Sequence, residues 1–258
     1  METLSEVQNY NLKAKNSFCN KSRNLSCSNC SFGKLCLPKD QNSSEVNIID
    51  DVIKHRRIVH KGENIFRHGE KSGYIYAIRS GSVKTQIPTK LGEEKILGFH
   101  LPGEIIGFDC FDNQSHKNSG IALEKSVICI FPLTELNNLS IKIQKVHDRL
   151  FSLMSEEIEK AHLVIKILAK SNPEQKLASF LINLSEKLKA RDRSSKVFDL
   201  SMSRYDIGNF LGLADETVSR SFSKLREYKL VDAERKNITI LDYKSLCKFS
   251  ELELNMDH

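Results

Sequence analysis

The sequence predicts an α+β protein with four parts: an N-terminal arm that carries cysteines, an antiparallel β-roll, a long helix suited to dimerisation, and a C-terminal winged helix-turn-helix. Three patterns carry this prediction. Between residues 48 and 140 short apolar runs alternate with glycines, from 141 to 172 apolar residues recur at helical spacing, and Gly212 separates two short helical patterns. With 258 residues the chain is long enough for two compact domains and an appendage.

The composition narrows the class of protein before any motif is considered. No apolar run approaches the roughly 20 residues that a bilayer crossing needs, and the polar start has no apolar core of a secretory signal. We therefore expect a cytoplasmic protein with no membrane partner. A net charge of +6 makes phosphate-bearing partners plausible without requiring them.

The domain boundaries are placed where the composition and the spacing of apolar residues change along the chain. Residues 1–47 are polar, surround the cysteines and are expected to hold little regular structure. The β-roll is assigned to 48–140, because runs such as YIYAIRSGSVKTQI alternate like strands and break at glycines. The dimerisation helix is assigned to 141–172 and the winged helix-turn-helix to 173–258.

One apolar stripe runs along the long helix. Its members recur every three or four residues and form the predicted dimer interface: Leu150, Met154, Ile158, Ala161 and Ile165. A second apolar set, which includes Phe151, lies on other faces. A helix with two apolar surfaces can pack on its own domain and on a second copy. A buried helix in a monomer remains the alternative.

The segment from Ser203 to Val231 has the layout of a helix-turn-helix. Ser203 and Asp206 resemble a capping box that opens the first helix, and Gly212 supplies the tight turn. A second helix then begins near Asp215. A plain helical hairpin with a solvated charge pair is the alternative, since the segment is not intensely basic.

If the segment binds duplex DNA, geometry assigns the roles. The N-terminal part of the second helix enters the major groove, where Glu216, Ser219 and Arg220 can contact base edges. Arg204, Lys224 and Arg226 are then the predicted phosphate contacts. Arg235 and Lys236, between two predicted strands, resemble the tip of a wing.

Cysteines crowd the N-terminal arm. Cys27, Cys30 and Cys36 place three thiols within ten residues, and thiolates are soft ligands for zinc or iron–sulfur clusters. No histidine lies nearby, and the residues alone leave the fourth ligand open between Cys19, eight positions before Cys27, and Cys129, in a predicted strand. Spacing alone leaves zinc and iron–sulfur equally open.

Five stretches together resemble the Crp/Fnr superfamily, and specifically its oxygen-responsive Fnr branch. They are CSNCSFGKLCLP, YAIRSGSVK, GFHLPGEIIGFD, LMSEEI and DIGNFLGLADETVSR. The resemblance covers nearly everything from Cys27 onward. It implies a β-roll like that of cyclic-nucleotide-binding domains, and a transcription regulator of the anaerobic response rather than an enzyme.

The resemblance also implies a cofactor and a mechanism. A [4Fe–4S] cluster would be held by Cys27, Cys30, Cys36 and Cys129, and would promote a homodimer that binds a site similar to TTGAT-N4-ATCAA. Oxygen would convert or remove the cluster and release the DNA. The loop at Gly92 and Glu93 resembles the surface with which the family contacts RNA polymerase.

Two positions depart from the Fnr pattern. Asp215 stands where an apolar residue is common, which puts the outer base of the half-site in doubt. Ala161 stands where an acidic residue is common, which puts the cluster dependence of the dimer in doubt.

Three rival interpretations remain. A cyclic-nucleotide regulator is disfavoured because Asn118, Ser119 and Gly120 replace the expected Arg-Ser/Thr-Ala segment. A Crp/Fnr-type regulator could respond to nitric oxide or a small molecule. A zinc-stabilised interaction protein without a sensing role belongs to a different class.

Overall fold

A computed structural model describes residues 26–27, 30–31, 33–36, 43–53, 55–89, 92–110 and 115–251. The predicted arm before residue 26, with Cys19, lies outside the described residues. The described helices are α1 Gly33–Cys36, α2 Ser43–Val52, α3 Leu133–Lys142, α4 Gln144–Leu168, α5 Pro173–Lys189, α6 Arg204–Leu211, α7 Asp215–Glu227 and α8 Tyr243–Ser250. The strands are β1 His55–Val59, β2 Asn64–Phe66, β3 Tyr74–Ser80, β4 Val83–Pro88, β5 Glu94–His100, β6 Ile105–Ile106, β7 Ser119–Ala122, β8 Ser126–Pro132, β9 Val197–Asp199, β10 Val231–Glu234 and β11 Asn237–Ile240.

The chain forms two compact units. One lies within Met1–Val83 and His100–Leu150, and the other within Lys84–Phe99 and Phe151–His258. None of the helices in the described part of the chain combines the length and apolar character that a bilayer crossing requires.

The first unit is built on an antiparallel sheet with the strand order β1-β8-β3-β6. Strand β8 is central, and its Cys129 lies opposite Arg56 of β1 and Ala77 of β3. Strands β2 and β7 pair antiparallel beside it. The core is made of apolar side chains that alternate along these strands: Val59, Ile65, Phe66, Tyr76, Ile78, Val83, Ile106, Ala122, Ile128 and Ile130.

The second unit contains the predicted winged helix-turn-helix. Helix α5 begins at Pro173, after the Asn172 side chain accepts hydrogen bonds from the amides of Glu174 and Gln175. Helices α6 and α7 follow, and the antiparallel sheet with the order β10-β11-β9 forms the wing. The predicted fold class is confirmed, with antiparallel sheets, a long helix and a C-terminal helix-turn-helix.

Two features differ from the predicted segments. Helix α2 crosses the predicted boundary between 47 and 48, so the first strand begins only at His55. The hairpin of β4 and β5, expected in the β-roll, groups with the second unit over Lys84–Phe99. The polar contacts between this hairpin and helix α6 account for the grouping.

Polar contacts join this hairpin to the first helix of the helix-turn-helix. Lys84 Nζ lies 2.7 Å from Asp206 Oδ1. The Asn209 side chain acts on the backbone of β5, because it accepts from the Ile96 amide at 2.7 Å and donates to the Glu94 carbonyl at 2.6 Å. The hairpin therefore stabilises the helix that supports the recognition element.

The contact between Lys84 and Asp206 depends on pH, because the Asp206 carboxyl has to be ionised to form the ion pair. Burial alone would raise the pKa of Asp206, but hydrogen bonds from Lys84 and Ser203 outweigh burial and hold the pKa below its ordinary value of 3.8. The stabilisation is therefore present above pH 3.8 and is lost as the pH falls through the lowered pKa of the folded state.

We expect Asp206→Asn to lower the free energy of unfolding at pH 7 by about 1–2 kcal/mol, because the ion pair and the capping box are weakened. The difference from wild type should shrink as the pH falls below 3.8 through the lowered pKa of the wild-type carboxyl, because protonation removes the charge. Denaturant unfolding over a series of pH values from 7 downwards measures it, with Asp232→Asn as the control in the same unit. A difference that stays unchanged over the whole acid range would contradict the role of the charge.

Candidate functional site

The four predicted cysteine ligands lie around one pocket. Cys27, Cys30, Cys36 and Cys129 line it together with Gly33, Ile53, Ala77, Ile78, Arg79, Gly103 and Phe131. Three of the thiols come from the turn and short helix that end at Cys36, and the fourth comes from the central strand β8. The fold thus brings together residues that are about a hundred positions apart in the sequence.

Backbone hydrogen bonds shape the turn that carries the first three thiols. The Cys30 amide donates to the Cys27 carbonyl at 3.1 Å, and the Gly33 amide donates to the Cys30 carbonyl at 3.0 Å. The Cys27 amide donates to Asp50 Oδ1 at 3.1 Å, which ties the turn to helix α2. These bonds direct the three side chains to one side.

Gly103 allows this turn to approach the β-roll. Its φ of +89° lies in the left-handed region, and a Cβ at this position would stand 2.7 Å from Leu35 Cδ1. Any side chain here would push helix α1 away from the sheet and move Cys36 away from Cys129.

Burial controls the ionisation of these thiols. It raises the pKa of Cys36 to about 12 and also raises those of Cys27 and Cys129, and neighbouring cysteines add to each increase. The three thiols are therefore protonated at neutral pH in the metal-free protein. Because metals bind the thiolate form, loading this site releases protons.

Three arginines supply positive charge around the pocket. Arg56 forms an ion pair with Asp50 and acts electrostatically on Cys129 and Cys27. Arg79 donates to the Ser26 carbonyl at 3.2 Å and offsets part of the rise that burial causes in the pKa of Cys129. Arg149, from helix α4, donates to the Leu35 carbonyl and offsets part of the rise in the pKa of Cys36. Such cations compensate the negative charge of a thiolate-ligated group.

The donor set fits a group bound by thiolates. Four cysteine thiols line one pocket, and thiolates are soft ligands that suit an iron–sulfur cluster or zinc.

The helix-turn-helix takes the predicted form in its details. Ser203 Oγ accepts from the Asp206 amide while the Asp206 side chain accepts from the Ser203 amide, so the predicted capping box is confirmed. Gly212 ends α6 at a φ of 69°. Gly208 is needed for close packing, because a Cβ there would lie 2.6 Å from the Leu213 carbonyl oxygen.

Helix α7 presents the predicted reading residues to solvent. Glu216, Ser219 and Arg220 are exposed, while Val218 and Phe222 are buried on its opposite side. The exposed side of α7 thus has the polar groups that base edges can bind.

The predicted phosphate contacts fall into different environments. Arg226 is exposed at the end of α7. Lys224 Nζ lies 2.7 Å from Glu174 Oε1. The Arg204 guanidinium is half-buried, lies 3.4 Å from the centre of the Phe222 ring and donates to the Arg235 carbonyl at 3.1 Å.

Arg204 therefore has a structural contact that the sequence did not indicate. Burial lowers its pKa to about 10, so the guanidinium stays charged at neutral pH. By contacting Phe222 and the Arg235 carbonyl, it links α7 to the tip of the wing.

The long helix carries an exposed apolar stripe. Phe151 and Ile165 are each 62% exposed and Ile158 is 59% exposed. They follow one another at intervals of seven residues, the spacing of a coiled-coil seam. Leu150, assigned to the dimer interface, is instead only 9% exposed because it packs within its own unit.

Two domain models match the chain. The Crp-like helix-turn-helix domain matches residues 175–249, and the cyclic nucleotide-binding domain matches residues 56–142. The transcriptional activator protein Anr of Pseudomonas protegens is 41% identical over 86% of this chain and 91% of its own length. The chain belongs to the Crp/Fnr family.

Other similar proteins agree with this assignment. Electron transport regulator A of Shewanella oneidensis is 39% identical to this Crp/Fnr protein over 93% of the chain and 94% of its own. The solved structure of FixK2 from Bradyrhizobium japonicum has a TM-score of 0.70 at 24% identity, over 77% of this chain and 98% of that one, and so supports the fold. This Crp/Fnr protein is a DNA-binding transcription regulator and not an enzyme.

The sequence did not identify the arginines around the cysteine pocket. Arg56, Arg79 and Arg149 lie in β1, β3 and α4, and no spacing connects them to the cysteines. Arg79 lies in the stretch YAIRSGSVK, which contributed to the family resemblance, but only the folded sheet shows that it faces Cys129.

Proposed function

We propose that this Crp/Fnr protein is an oxygen-responsive regulator of the anaerobic response in which Cys27, Cys30, Cys36 and Cys129 hold a [4Fe–4S] cluster. The observation that carries the proposal is the single pocket shared by all four cysteines. When bound there, the cluster supplies an oxygen-labile group that crosslinks the N-terminal turn to strand β8.

The chain's own residues shape that site. Cys129 would bring the central strand into the ligand set, and Cys27, Cys30 and Cys36, which line the same pocket, would complete it. Arg56 and Arg79 offset the charge of the thiolates from the side of the sheet. The pocket's apolar walls, among them Ile53, Ile78 and Phe131, limit the access of water.

Dimerisation would use helix α4. The exposed stripe of Phe151, Ile158 and Ile165 presents apolar side chains at coiled-coil spacing, and pairing two copies would bury them. Met154 and Ala161, which the sequence assigns to the interface together with Ile158 and Ile165, would lie beside this stripe. Two recognition helices would then bind half-sites about 34 Å apart on one face of DNA.

The DNA site is proposed to resemble TTGAT-N4-ATCAA. Glu216, Ser219 and Arg220 are exposed on α7 at the positions expected for base contacts, and Arg226 is exposed for a phosphate contact. Arg235 and Lys236 extend the positive surface at the wing.

RNA polymerase is the proposed protein partner. Gly92 and Glu93 are exposed, and hydrogen bonds connect them to Thr89: the Gly92 amide donates to the Thr89 carbonyl at 3.0 Å, the Glu93 amide to Thr89 Oγ1 at 3.2 Å, and the Thr89 amide to the Glu93 carbonyl at 2.7 Å. An exposed charged residue held in this way suits a protein contact.

A cyclic nucleotide is a poor ligand for this β-roll. The Asp109 carboxylate accepts a hydrogen bond from the Asn118 side chain at 3.1 Å and lies 3.0 Å from His116 Nδ1. Burial would raise its pKa, yet these bonds hold the pKa below 3.8, so Asp109 is negatively charged. That charge beside the segment Asn118–Gly120 would repel a phosphate.

Anaerobic purification and exposure to air test the proposal. We expect a brown protein with broad visible absorbance that loses colour, dimer and binding to the TTGAT-N4-ATCAA duplex together when air is added. A colourless, zinc-containing protein that binds DNA equally with and without air would refute it. Loss of colour and binding with nitric oxide but not with air would identify the other signal instead.

A further inference from the structure

One side chain connects the cysteine turn to the long helix. Arg149 belongs to the first turns of α4, and its guanidinium donates to the Leu35 carbonyl. Leu35 immediately precedes Cys36 in helix α1. The carbonyls at a helix end have no partner within the helix, so an external donor fixes the position of this end.

The carbonyl that Arg149 binds belongs to the residue next to a proposed ligand. A site that holds Cys36 also holds the Leu35 carbonyl, because one planar peptide unit joins the two residues. Loading the pocket would therefore keep the acceptor of the Arg149 hydrogen bond in place.

Arg149 also stands beside the exposed stripe. Leu150, the next residue, is buried within its unit, and Phe151, one further on, begins the stripe that continues with Ile158 and Ile165. Because hydrogen bonds run continuously along an α-helix, an anchor on its first turns also restrains the helical turn in which this stripe begins.

We propose that Arg149 is the positioning residue that couples the cysteine pocket to the apolar stripe of α4. A loaded pocket holds Cys36 in the ligand set, Arg149 holds α4 to the Cys36 turn, and the stripe is thereby ordered for a second copy of the chain. This inference rests on the proposed function. It adds the specific contact by which loading of the cysteine pocket would affect helix α4.

The test uses the full chain, reconstituted anaerobically with iron and sulfide, and compares Arg149→Gln, Arg149→Lys and the control Lys142→Gln. Lys142 is exposed at the end of α3. We expect Arg149→Gln to acquire the wild-type visible spectrum, because its four ligands are intact, and to dimerise about tenfold more weakly by sedimentation. Arg149→Lys should fall between, since lysine keeps the charge and loses the planar fork.

Hydrogen exchange supplies a second readout that does not depend on DNA binding. Reconstitution of the wild type should protect both 33–36 and 144–158, whereas in Arg149→Gln it should protect only 33–36. A reconstituted Arg149→Gln that dimerises like wild type, or one that cannot acquire the cluster, would overturn the coupling role. A wild type that itself acquires no cluster would instead refute the proposed function.

Discussion

Serine at position 129 is expected to remove the visible absorbance of the anaerobic protein and to reduce binding to the palindrome by roughly a thousandfold, to the level of non-specific binding. Cys129 is the thiol that strand β8 contributes to the pocket, as far as the structure describes it. A serine hydroxyl is a hard and weakly acidic donor, so it does not replace a thiolate on iron. Absorbance, iron and sulfide content, and fluorescence anisotropy with labelled duplex measure the effect.

The control separates loss of a ligand from damage to the fold. Cys247→Ser alters a cysteine of helix α8, far in sequence from the pocket, and should keep both absorbance and binding. The metal-free Cys129→Ser protein should still unfold cooperatively, although about 1–3 kcal/mol less stable than the metal-free wild type, because a hydroxyl replaces a buried thiol. Full colour and full binding in Cys129→Ser would show that position 129 is not a ligand.

Local rules explain why much of the fold could be predicted from the sequence. Ser203 and Asp206 form a capping box through bonds between residues three apart, so the pattern alone contains the geometry. Gly212 predicts the turn for a similar reason, because glycine is the residue that most readily adopts the left-handed backbone found there. The recognition helix follows directly from these two signals.

Features that depend on packing between distant segments could not be predicted in this way. The stripe on α4 is an example: Leu150 and Phe151 are both apolar, and helical periodicity does not determine which of two adjacent faces packs inside its own unit. Leu150 proves to be buried and Phe151 exposed. The contact between Arg149 and Leu35 spans more than a hundred residues and leaves no pattern in either segment.

The phosphate contacts illustrate a second limit. Arg204, Lys224 and Arg226 are equivalent in the sequence, yet only their surroundings determine their availability. Arg204 lies over the Phe222 ring and Lys224 is held by Glu174, whereas Arg226 is exposed. Lys224 is exposed as well, and an exposed ion pair contributes little free energy, so Lys224 and Arg226 both stay predicted phosphate contacts.

Arg220→Ala is expected to weaken binding to the palindrome at least about tenfold and to relax the preference for guanine at one position of each half-site. Arg220 is exposed on α7, one helical turn after Glu216, where a guanidinium can donate twice to guanine O6 and N7. Arg220→Lys should recover little of this preference, because an ammonium group lacks the fork geometry.

Arg226→Ala is the matched comparison: it should weaken binding to all duplexes alike and reduce the salt dependence of binding by about one released counterion per half-site. If Arg220→Ala instead weakened all sequences equally while keeping the guanine preference, Arg220 would be a phosphate contact and the reading of bases would rest on Glu216 and Ser219.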